Sequence, residues 1–164
     1  MGVAGCGKTT VARELASRLN LKFVEGDDLH PEENVKKMQA GIPLSDSDRK
    51  PWLESLSTMM LRSSSSLVIS CSALRISYRQ LLAQDVDVRF VYLHVSAELV
   101  LKRVAEREHW FPPSLVADQF SALEAPGKNE ALWCDGAQSL SQTIDLIIKT
   151  RRNENLFTDR NEPE

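Results

Sequence analysis

Apolar residues recur along the chain at two alternating periods. Val11, Leu15 and Leu19 stand four apart within KTTVARELASRL, which predicts a helix over 8–19 with Asn20 as its stop. Lys22-Phe23-Val24 is short and extended, and it leads into the acidic turn Glu25-Gly26-Asp27-Asp28. A second helix opens at His30-Pro31-Glu32-Glu33, with Pro31 at a tolerated first-turn position, runs to about Ala40 and ends at Gly41. Residues 41–48 read as loop, and Trp52, Leu56, Met59 and Met60 predict an amphipathic helix over 49–62. Leu67-Val68-Ile69-Ser70-Cys71 is an unbroken apolar run, the pattern of a strand covered on both faces. A turn and helix follow over 72–84, then a strand over 89–95 and a helix over 97–107. His109-Trp110-Phe111-Pro112-Pro113 breaks the pattern. A helix over 114–123, a short strand at Ala131-Leu132-Trp133-Cys134 and a helix over 139–150 complete the series. From Arg151 to the end the residues are polar and charged, a tail expected to fray.

Strands alternating with helices predict one α/β domain over 1–150, built on a parallel sheet flanked by helices. In such sheets ligands bind beyond the carboxyl ends of the strands. Each unusual polar cluster of this sequence falls at such an end.

Composition narrows the partners. The chain has 164 residues, 42% hydrophobic and 26% charged, which is the profile of a globular domain with a real core. A net charge of -3 argues against nucleic-acid binding by bulk electrostatics. No apolar run reaches bilayer-spanning length and no secretory signal is visible, so no membrane role is expected. Cys6, Cys71 and Cys134 are widely spaced, without a zinc pattern, and suit a reducing cytoplasm.

Gly2-Val3-Ala4-Gly5-Cys6-Gly7-Lys8-Thr9, followed by Thr10, fits the phosphate-cradling pattern G-x-x-x-x-G-K-[ST]. Glycines let successive N–H groups turn inward on an anion, and the helix that starts here points its positive end at the same place. Lys8 supplies a cation for the β- and γ-phosphates of ATP, and Thr9 a hydroxyl for Mg²⁺. The motif normally follows a buried strand. Met1 alone precedes it here, so the expected sheet lacks its central strand.

Four further clusters carry candidate chemistry. Asp27, in the acidic turn with His30 close behind, could accept a hydroxyl proton or hold Mg²⁺ through water; the bland alternative is a solvated turn. Asp46, Asp48 and Arg49 read equally as the charged start of a helix, and Trp52 as core. Arg75 and Arg79 share a helix face and could clamp a substrate carboxylate, although surface charge is the simpler reading of spacing alone. Arg103 and Arg107 stand four apart and run into His109, as lid cations or as a charged helix end.

His30-Pro31-Glu32-Glu33-Asn34, Lys37-Met38, Gly41-Ile42-Pro43-Leu44, Asp46, Asp48-Arg49 and Pro51-Trp52-Leu53 together resemble the gluconokinases, small P-loop sugar-acid kinases. Cys71-Ser72-Ala73-Leu74, Tyr78-Arg79, Phe90-Val91-Tyr92-Leu93, Gln119-Phe120 and Leu123-Glu124 extend the resemblance in the same order. It implies a three-layer P-loop kinase fold and ATP-dependent phosphorylation of D-gluconate to 6-phospho-D-gluconate. It also implies an acceptor-binding segment over 30–60, a lid over 103–113 and, in many members, a cytoplasmic homodimer. On this resemblance Gly2 to Thr10 bind ATP and Thr9 meets Mg²⁺. Lys8, Asp27, Arg103 and Arg107 carry catalysis, and Asp27, His30, Arg49, Arg75, Arg79 and His109 bind gluconate. The sequence departs from the family at Glu25, where Asp is usual, and at Arg75-Ile76, where two lysines are usual. It departs again at Arg107-Glu108-His109-Trp110, which lacks a lid glycine. The alternatives are a related kinase with another acceptor, such as shikimate, or a nucleotide-binding protein with impaired catalysis.

Overall fold

A computed structural model describes residues 1–106 and 114–158. Helix α1 (Lys8–Leu19) leads to β1 (Lys22–Glu25), a 3-10 turn (Gly26–Leu29), α2 (Glu32–Gln39) and α3 (Asp46–Arg62). Then come β2 (Leu67–Ser70), α4 (Ile76–Ala83), β3 (Phe90–His94), α5 (Ala97–Ala105), α6 (Ser114–Ala122), β4 (Ala131–Asp135) and α7 (Leu140–Thr158).

Local chemistry explains the boundaries. Asn20 closes α1 in the left-handed region at φ 51, with its N–H on the Ala16 and Ser17 carbonyls. Helix α3 starts at Asp46 rather than near 49, because Ser45 and Asp48 form a reciprocal capping box. Helix α7 continues to Thr158, past the end expected at Thr150. No helix among the described residues is long and apolar enough to cross a membrane.

The strands form two parallel pairs. In β1–β2, Lys22 lies opposite Leu67 and Glu25 opposite Ser70; in β3–β4, Phe90 lies opposite Ala131 and His94 opposite Asp135. Met1 runs beside β3. Its nitrogen donates to the Val91 carbonyl at 2.5 Å and its carbonyl accepts from Leu93 N–H at 3.0 Å, the bond pattern of a parallel bridge opposite Tyr92. Gly2 N–H donates to the Ser72 carbonyl just beyond β2, at 3.1 Å. Met1 and Gly2 thus sit between the two pairs, at the place of the central strand that the sequence was expected to lack.

Two apolar clusters flank this line. One joins α1, β3, β4, α5 and α7 through Leu15, Leu93, Cys134, Val100 and Ile144. The other joins α3, α4 and the end of β2 through Trp52, Leu56, Tyr78, Leu82 and Cys71. A third, small cluster of Met38, Leu44 and Leu115 packs on Ala4 of the phosphate loop.

Candidate active site

The phosphate loop takes its shape from glycine. Gly5 at φ 77 and Gly7 at φ 102 lie in the left-handed region, which turns the following N–H groups to one side. Gly7 precedes α1 without a side-chain cap, so the first-turn amides of α1 face the loop. The underside is packed: a Cβ on Gly5 would stand 3.1 Å from Val104 and 3.2 Å from Val100 of α5. Val3 and Cys6 turn their side chains into the core at 3% and 2% exposure, so their contribution to a bound phosphate would come from the backbone. Lys8 curls over the loop, with Nζ donating to the Val3 carbonyl at 3.0 Å.

The opposite wall comes from β1, the 3-10 turn, α2 and α3. Thr9 Oγ1 donates to Glu25 Oε2 at 2.8 Å, joining the start of α1 to the end of β1. Glycine is required at 26, where a Cβ would lie 2.4 Å from the Ser70 carbonyl oxygen. That close approach brings Asp27 to the carboxyl end of the β1–β2 pair. Trp52, 1% exposed, donates from its indole to the Gly26 carbonyl at 2.7 Å and fixes the turn from below. His30 stacks on Trp52 with ring centroids 4.2 Å apart and planes 13° apart. Burial, reinforced by the Arg49 charge, pushes His30 down to about 4, so its ring is neutral at pH 7. Arg49 is held near Tyr78, with a 3.4 Å bond to the phenol oxygen and a 3.8 Å ion pair to Asp46.

These two walls enclose a cleft of about 610 Å³ lined by Lys8, Thr9, Asp27, His30 and Arg49. Its size is that of a small-molecule site. Ala4, Gly5, Gly7 and Thr10 also face it.

Two expected contacts are corrected. Arg79 is 1% exposed and lies beneath the surface, not in the cleft. It grips Glu130 with Nε–Oε1 at 2.5 Å and Nη2–Oε2 at 3.2 Å. Its Nη1 donates to the carbonyls of Ala73, Leu74 and Glu124 at 3.3, 3.2 and 3.0 Å. Ala73 is a non-glycine residue at φ 43, a conformation that costs about 1–2 kcal/mol. Arg79 therefore steadies the turn that follows β2, whose Ser72 carbonyl supports Gly2. Arg75 is also directed elsewhere, in a 2.7 Å ion pair with Asp46 at the start of α3.

Arg103 binds the loop from behind, with Nη2 on the Gly136 carbonyl at 2.8 Å and Nη1 on the Cys6 carbonyl at 3.5 Å. Arg107 and His109 lie outside the described residues. Sequence reading gave Asn34 and Gln119 no role in the site. Asn34 is buried against His30, and Gln119 lines the cleft while its Oε1 accepts from Ala4 N–H at 2.6 Å. Their partners are backbone groups and a ring nitrogen, which no residue spacing encodes.

Comparison with known proteins gives the same direction. A family model described as shikimate kinase matches residues 4–157. The thermoresistant gluconokinase of Escherichia coli is 41% identical over 160 residues, covering 91% of each chain. The gluconokinase of Gluconobacter oxydans is 45% identical over 135 residues, covering 79% of this chain and 76% of its own. A gluconokinase crystal structure from Sinorhizobium meliloti superposes with a TM-score of 0.86 at 40% identity, over 98% of this chain and 94% of that one. Nucleotide-cradling loop, parallel α/β core and overall sequence agree, and the chain belongs to the gluconokinases, within the wider shikimate-kinase-like family of P-loop kinases.

Proposed function

We propose that this chain transfers the γ-phosphoryl group of ATP to the 6-hydroxyl of D-gluconate, giving 6-phospho-D-gluconate and ADP. The observation that carries the reading is the single cleft shared by Lys8 and Thr9 on one wall and Asp27 and His30 on the other. The amides of the phosphate loop and of the first turn of α1 would bind the phosphates, with Lys8 swinging from the Val3 carbonyl to the β- and γ-oxygens. Asp27 would take the proton of the attacking hydroxyl as its oxygen bonds to phosphorus, and the bond to the β–γ bridging oxygen breaks. Arg49 and His30 would orient the acceptor. Catalysis of this kind rests on positioning and charge stabilisation.

The residues present suit Mg²⁺. Thr9 places a hard hydroxyl oxygen at the mouth of the loop, and Glu25 Oε2 accepts from it at 2.8 Å and orients it. Among the described residues no group of three or more His, Cys, Asp or Glu converges, which suits an ion that keeps several waters and phosphate oxygens. Bound there, Mg²⁺ would neutralise charge between the phosphates. Residues 30–60 would serve as the acceptor-binding segment and 103–113 as the lid of one kinase domain over 1–150, with Arg103 bracing the loop and Arg107 and His109 in the lid. The free thiols of Cys6, Cys71 and Cys134 suit a cytoplasmic enzyme. A homodimer is the assembly that the resemblance favours.

The test is ADP release by the purified chain with Mg·ATP and either gluconate, shikimate or no acceptor. Gluconate-dependent release that Lys8→Ala abolishes is expected. Release with shikimate and none with gluconate would overturn the reading in favour of the acceptor that the family model names.

A further inference from the structure

Asn34 is a polar residue at 4% exposure, and its position on α2 is explained by neither the apolar clusters nor the chemistry above. Its Nδ2 donates to the Asp48 carbonyl oxygen at 2.7 Å and lies 3.3 Å from His30 Nδ1. A backbone carbonyl can only accept, so the atom that faces Asp48 must be the amide nitrogen, and the orientation of the carboxamide is settled. The second hydrogen of the same NH2 group is left for His30. Because that group can only donate, Nδ1 must offer a lone pair, and the single proton of the neutral ring resides on Nε2. A ring protonated on both nitrogens would set N–H against N–H. The plane of the ring is fixed separately, by stacking on Trp52, which is itself tied to the Gly26 carbonyl.

We propose that Asn34 is a positioning residue that holds His30 as the neutral Nε2–H tautomer, making His30 a directed hydrogen-bond donor to an acceptor oxygen in the cleft. The acceptor's identity as a sugar acid rests on the proposed function; the tautomer does not. His30 as a donor complements Asp27, which accepts, so this wall of the cleft offers a hydroxyl both halves of its hydrogen-bonding capacity. The charged groups around His30 are Arg49 and Asp48 of α3, Lys37 of α2 paired to Asp48 at 2.6 Å, and Asp27 and Asp28 of the 3-10 turn. Burial and the Arg49 charge act in the same sense as Asn34, against the imidazolium.

Long-range ¹H–¹⁵N spectra of the histidine rings read the tautomer directly, with His30→Gln assigning the signal. At pH 7 the His30 ring is expected as Nε2–H in the free protein, and addition of gluconate should shift that Nε2–H signal. Asn34→Asp replaces the donor by an acceptor of the same shape. It should move the proton to Nδ1 or charge the ring, and raise KM for gluconate about tenfold, one hydrogen bond's worth, with KM for ATP unchanged. An Nδ1–H ring in the unaltered protein would overturn the proposal. So would an Asn34→Asp protein that keeps both the tautomer and the KM. The expected tautomer in a protein that gluconate neither shifts nor turns over would uphold Asn34's role and refute the acceptor assignment.

Discussion

Thr9 Oγ1 and Glu25 Oε2 lie 2.8 Å apart, so the hydroxyl that closes the phosphate loop is oriented by a carboxylate from the end of β1. A partner of this kind sets the direction of a ligand's lone pair. Losing such partners typically costs about 10–100-fold in metal affinity or activity. Glu25→Gln should raise the Mg²⁺ concentration for half-maximal activity in that range, with acceptor KM unchanged. A Mg²⁺ titration of ADP release checks it.

Asp27 stands beside the loop because Gly26 lets β1 approach β2 closely. Asp27→Asn keeps shape and removes the proposed proton acceptor, so kcat should fall about 10²–10⁴-fold, the usual worth of a general base. Affinity for Mg·ATP, measured by calorimetry, should hold. A kcat within threefold of the unaltered protein would remove Asp27 from the chemistry.

Arg79 and Glu130 test the opposite class of residue. Arg79→Ala leaves Glu130 and three carbonyls without their donor; Glu130 reaches solvent, so the cost is chiefly that of the unpaired carbonyls, about 1–3 kcal/mol. Arg79→Lys should rescue little, because an ammonium cannot reproduce the fork geometry. The Arg79 guanidinium holds Glu130 below the ordinary carboxylate range. The pair's contribution is therefore present above the unfolded carboxylate value of about 4.5 and is lost as pH falls through the lower folded one. Urea unfolding of both variants, with KM values measured on the folded fraction, separates this role from substrate binding.

His30 gives stability a second pH dependence. Its ring takes up a proton near 6.5 when unfolded and at about 4 when folded. Between those values the unfolded chain binds the extra proton, so this contribution is complete above about 6.5 and declines as pH falls toward 4. His30→Gln should flatten the thermal melting profile across that interval relative to the unaltered protein.

Gly26→Ala would place a Cβ 2.4 Å from the Ser70 carbonyl oxygen, a backbone atom that cannot rotate away. Overpacking of this sort costs about 1–3 kcal/mol. Because the strands must separate to admit it, kcat should fall together with the melting temperature.

The loop, the helices and the alternation that implies a parallel sheet were legible because each is written in contiguous or periodic residues. The start of α3 was obscured because Ser45 and Asp48 resemble loop residues until they are seen to cap one another. Arg75 and Arg79 were assigned to the acceptor site by the resemblance, whereas their spacing alone favoured surface charge. Four-residue spacing states that two cations share a helix face, but not which way that face turns. The partner of Arg79 lies 51 residues away, and that of Gln119 lies 115 residues away. Long-range pairing of this kind leaves no local trace.

Ala4 N–H is committed to Gln119 of α6, while the Ala4 side chain rests on Met38 and Leu44 of the acceptor-side segment and on Leu115 of α6. One small residue of the phosphate loop therefore touches both α6 and the stretch from α2 to the start of α3, two parts of the cleft lining. A ligand at either end that displaced Ala4 would alter the support of the other, and linkage would make that influence reciprocal. Nucleotide and acceptor affinities measured separately should consequently differ from those measured together, by the same factor in both directions.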